Sequence, residues 1–67
     1  MMKGYPVPKG LAPYVLLLLR TLEEKSFDDE IAALSRLNAE QEEGRTAALF
    51  EWDEKRNTYI LLNYSLV

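Results

Sequence analysis

Apolar side chains fall into four blocks along the chain: a nearly unbroken run at 11–19, a spaced set at Phe27, Ile31, Leu34 and Leu37, and two runs at 46–52 and 58–66. Set out at about 100° per residue, Leu11, Tyr14, Val15, Leu17, Leu18, Leu19 and Leu22 cover an arc of roughly 200°. Leu16 lies outside even that arc. Leucine is a strong helix former, and Val15 is the one β-branched residue between 11 and 20. Pro13 fits a first helical turn, where its missing N–H loses nothing. The block therefore predicts a helix over 11–25, covered on more than one side.

A second helix is expected over 27–43. Ser26 stands as its N-cap with Asp29 three residues on, Asp28, Asp29 and Glu30 suit the positive end of the helix dipole, and Gly44 marks the stop. Its buried stripe would be Phe27, Ile31, Leu34 and Leu37. The last two runs read as strands over 46–52 and 58–66, the second rich in β-type residues. Asn57 tolerates the left-handed backbone of a hairpin turn. A three-residue loop at 55–57 would pair Trp52 with Ile60 and Phe50 with Leu62, placing Ala48, Phe50, Trp52, Ile60, Leu62 and Tyr64 on one face. Leu49, Tyr59 and Leu61 would share the other. Residues 47–55 also have helix propensity, and a third helix there is the competing reading. The expected fold is α+β: an extended arm over 1–10, carrying Pro6 and Pro8, then a single small domain over 11–67 with two helices and a C-terminal antiparallel hairpin.

Length sharpens this picture. Sixty-seven residues make one domain whose core is small. With no cysteine and no histidine, neither disulfides nor the commonest metal ligands can reinforce it, which leaves oligomerisation. The apolar surplus of the first helix nominates Tyr14, Leu16 and Leu17 for self-association, and a homodimer or higher oligomer is expected. The run after Lys3 and Lys9 lacks a small-residue cleavage site, and nine residues of helix rise about 14 Å against a hydrocarbon core of ~30 Å. No membrane span is expected, and the cytoplasm is the expected location, that of the host if the chain is phage-encoded.

The formal charge is −3 and unevenly spread. The first 25 residues are net basic; the remainder carries nine carboxylates against four cations. That balance speaks against nucleic acid as a partner. The Asp28-Asp29-Glu30 cluster lacks the spacing of a calcium loop, so helix-start charge explains it and no metal is expected. Glu40, Glu42 and Glu43 are different, because acidic groups oppose the dipole at a helix C-terminus. They serve solubility or meet a protein partner with a basic surface, with Leu49, Tyr59 and Leu61 as apolar companions. Lys55 and Arg56 would suit the basic tip of a winged helix, but Asp53 and Glu54 cancel their charge.

The sequence holds no phosphate-binding glycine loop and no nucleophile elbow, so neither an enzyme nor a cofactor is expected. The expected function is a small non-enzymatic protein-interaction module, a regulator or a phage- or plasmid-type inhibitor, anti-defence for example, that occludes a surface of its partner. Two alternatives stand beside it: a winged-helix-like DNA-binding regulator and a structural subunit of a homo-oligomer.

Overall fold

The leucine-rich run is a strand, and it lies inside a sheet. The computed structural model describes residues 12–66, and the expected arm over 1–10 lies outside the described residues. Strand β1 (Tyr14–Leu18) and strand β2 (Glu23–Phe27) form one hairpin, helix α1 (Glu30–Glu42) follows, and β3 (Ala47–Asp53) and β4 (Thr58–Ser65) form a second hairpin. The sheet order is β2-β1-β3-β4, with every neighbouring pair antiparallel. The expectation of two helices and a C-terminal hairpin is therefore overturned: the described residues contain one helix and two hairpins, mostly strand.

The reason lies in burial on both faces. β1 sits between β2 and β3, and its side chains alternate between two cores. Leu16 packs with Ala33, Leu37, Ala47 and Leu49 under the helix. Val15 and Leu17 pack with Ala48, Phe50 and Tyr59 on the opposite face. Val15, Leu16 and Leu17 are 0–2% exposed, each contributing about 1.5–3 kcal/mol. A strand covered on both sides has no polar face, so its sequence shows no alternation. The wide apolar arc was the mark of that situation, and tertiary packing overrides leucine's helix propensity.

Both hairpins turn through four residues, 19–22 and 54–57, and each ends on a left-handed residue: Leu22 at φ 62° and Asn57 at φ 54°. Asn57 is suited to that conformation, whereas a leucine there is strained. The second loop is one residue longer than expected, so β4 slips by one: Trp52 pairs with Tyr59 and Phe50 with Leu61, with a bulge at Leu62 before Asn63 pairs with Leu49. Tyr59 and Leu61 thus join Phe50 and Trp52 on the face away from the helix, in place of Ile60 and Leu62. Residues 47–53 are strand, which removes the third helix and with it the winged-helix arrangement.

α1 is shorter than expected. Asp29 is its N-cap, accepting from the Ala32 N–H at 3.0 Å, while Ser26 belongs to β2. Its buried stripe is Ala33, Leu37 and Glu40, with Leu34 half-buried, and Ile31 is 75% exposed. Gly44, at φ 74°, closes the helix. The Gly44 N–H donates to the Gln41 carbonyl at 3.0 Å and the Arg45 N–H to the Glu40 carbonyl at 2.9 Å, the paired bonds of a Schellman motif.

Candidate functional site

The two ends of the sheet differ in chemistry. At one end the register sets Tyr14 between Phe27 and Glu51, and Asp53 opposite Thr58. The end of β2 leads there directly into Asp28, Asp29 and the start of α1. Asp28, Asp29, Glu30, Glu51, Asp53 and Glu54 therefore gather at one end of the molecule. The Tyr14 hydroxyl donates to Glu30 Oε1 at 3.3 Å. Partial desolvation, and then the carboxylates of Glu30 and Glu51, push its titration up from the ordinary tyrosine value. Ile31 stands beside this cluster as the most exposed large apolar side chain among the described residues. Asp53 is partly neutralised: Oδ1 accepts from the Lys55 N–H at 3.0 Å, and Oδ2 lies 3.6 Å from Arg56 Nε.

At the other end, where α1 finishes, Glu40 is buried to 2% exposure. Arg36 Nε donates to its Oε2 at 2.8 Å and Arg45 Nη1 to its Oε1 at 2.9 Å. The hydrogen bonds from Arg45 and then Arg36 hold its carboxyl below the usual carboxylate range, outweighing the burial that pushes the other way. Arg45 is driven up in turn, chiefly by Glu40. Arg36 one turn before Glu40 and Arg45 just past the helix stop are the sequence signal for this arrangement. Beside the triad opens a cavity of about 480 Å³ between the helix end and the β1–β2 hairpin.

The residues singled out from sequence are scattered by the fold. Glu40 is enclosed between two arginines, which takes it out of any exposed acidic patch, while Glu42 and Glu43 remain on the surface. Glu43 reaches Arg45 Nη2 at 3.4 Å. Leu49 is buried under the helix. Tyr59 is buried on the opposite face, where its hydroxyl donates to the Ala12 carbonyl at 2.6 Å and its ring meets Trp52 edge-on at 5.0 Å. Leu61 is half-buried beside it. Leu16 and Leu17 lie in the two cores of a single chain, and Tyr14 is half-buried at the acidic end. The acidic end itself was not visible in the sequence as one surface, because its members are split between 28–30 and 51–54.

No protein-family model, curated protein or solved structure matches this chain. No helix among the described residues is long and apolar enough to cross a membrane.

Proposed function

We propose that this chain is a small protein-interaction module, in the class of regulators and inhibitors that occlude a surface of a partner protein. Its docking surface is the acidic end, and the partner's matching surface is basic. The observation that supports this reading is the gathering of Glu30, Glu51 and Glu54 with neighbouring aspartates around Tyr14 and the exposed Ile31. Exposed ion pairs give at most about 1 kcal/mol each, so charge supplies association rate and orientation while an apolar anchor supplies lifetime. Ile31 is that anchor. The test is affinity capture from the organism that encodes the chain, comparing wild type with a variant carrying Glu30→Gln, Glu51→Gln, Glu54→Gln and Ile31→Ser. A basic-surfaced protein retained near one-to-one by wild type and lost with the variant supports the reading. An unchanged capture profile removes it.

One observation favours a homo-oligomer as a second reading. β4 is an edge strand with no charged side chain, and Leu62 and Tyr64 are exposed along it. An unguarded edge is a template for a second strand, although the bulge at Leu62 interrupts a regular ladder. Sedimentation equilibrium would show a dimer that Tyr64→Lys converts to monomer; a wild-type monomer at high micromolar concentration rejects this reading.

A further inference from the structure

We propose that the cavity at the end of α1 binds a compact, multiply charged oxyanion of the phosphate or diphosphate type. Arg20, Lys25, Arg36 and Arg45 line it against two carboxylates, Glu23 and Glu40. Elsewhere the described residues carry only Lys55 and Arg56 as cations, against nine carboxylates. Four of the six described cations thus converge on one pocket of an acidic protein.

Glu40 accounts for only two of them. Its oxygens are satisfied by Arg36 Nε and Arg45 Nη1, and the Schellman bonds serve the Glu40 and Gln41 carbonyls. Arg20 and Lys25 come from the other side of the cavity, on the β1–β2 hairpin, and neither has an ion pair among the described residues. That hairpin also carries the strained Leu22 at the end of the loop holding Arg20. The bond to Glu40 takes one edge of the Arg36 guanidinium and fixes its plane, leaving its Nη groups for a ligand. A guanidinium held in this way suits bidentate contact with phosphoryl oxygens.

The lining also defines the ligand. Among the described residues it holds no aromatic ring on which a base could stack, and Thr46 adds a hydroxyl, that of Thr21 being donated already to Glu23. Four features oppose an anion: Glu40, whose charge Arg36 and Arg45 already share; Glu23, whose Oε1 accepts from the Thr21 hydroxyl; Glu43, which also holds Arg45; and the negative end of the helix dipole. A single charge would gain too little against them. A group with two or more charges, bridging Arg20, Lys25 and Arg36, overcomes them.

The test uses pyrophosphate and inorganic phosphate as probes, with potassium chloride at matched ionic strength as control, read by calorimetry and by amide shifts of the ¹⁵N-labelled full chain. Saturable binding of pyrophosphate is expected, with shifts centred on Thr21, Gly44, Arg45 and Thr46. Arg20→Gln and Lys25→Gln, which break no ion pair and should leave folding intact, should each weaken binding about tenfold. Lys55→Gln should leave it unchanged. Phosphate binding as tightly as pyrophosphate identifies a single phosphoryl group as the ligand; tighter pyrophosphate identifies a diphosphate. Shifts that follow chloride equally, or binding unaffected by Arg20→Gln and Lys25→Gln, overturn the proposal.

Discussion

Arg45 holds Glu40 twice: its backbone N–H donates to the Glu40 carbonyl at 2.9 Å, and its Nη1 donates to the Glu40 carboxylate at 2.9 Å. The first bond belongs to the helix stop and the second to the pocket, so ending α1 and burying its acid are one structural event. Arg45→Ala keeps the first bond and removes the second, leaving one oxygen of a buried carboxylate without its partner. We expect a clear drop in melting temperature. Arg56→Ala, which removes only the 3.6 Å surface pair with Asp53, should stay within about 0.5 kcal/mol of wild type by urea unfolding.

Leu22 carries backbone strain without compensating burial. A left-handed conformation costs a non-glycine residue about 1–2 kcal/mol, and Leu22 is 58% exposed. Leu22→Asn gives this loop the residue that Asn57 supplies to the other. It should stabilise the chain by about 1 kcal/mol in urea unfolding, because asparagine tolerates this region. Destabilisation would mean that the leucine side chain has a packing role in the fold.

Leu16 and Ile31 separate the observed fold from the two-helix expectation. Leu16→Ala empties the layer between sheet and helix and should cost about 2–5 kcal/mol. Ile31→Ala changes an exposed position and should cost less than about 0.5 kcal/mol. In the two-helix arrangement Ile31 would belong to the buried stripe, and its truncation would be costly.

Part of this architecture is legible in the sequence. Helix α1 shows in the acidic start at 28–30 and in Gly44, and the second hairpin shows in its β-type residues and Asn57. Leu16 and its neighbours mislead, because an apolar run looks the same on a doubly covered strand as on a helix buried all round. Register is lost for a smaller reason: one extra loop residue exchanges Tyr59 for Ile60 opposite Trp52. Glu40 is the hardest to foresee. A carboxylate among three glutamates at a helix end reads as a solvated group, and only the flanking Arg36 and Arg45 hint at its burial. Where the sequence suggests a single acidic patch at 40–43, the sheet register gathers carboxylates from 28–30 and 51–54 at one end, and at the other Glu40 is buried between Arg36 and Arg45.

Urea unfolding of wild type and Glu40→Gln across acid pH tests this sorting of charge most directly. The Glu40 carboxyl is held below its ordinary value of 4.5 in the folded chain, so the folded state binds its proton less readily than the unfolded state. Its contribution is therefore complete above that ordinary value and is lost as pH falls through the lower folded value. At neutral pH Glu40→Gln should be less stable by about 1–3 kcal/mol, the cost of a buried group that no longer satisfies its partners. The gap between the two proteins should narrow from about pH 5 downward as the wild-type carboxylate is protonated. Equal stability at neutral pH, with parallel curves into acid, would contradict a buried, ionised Glu40 clamped between Arg36 and Arg45.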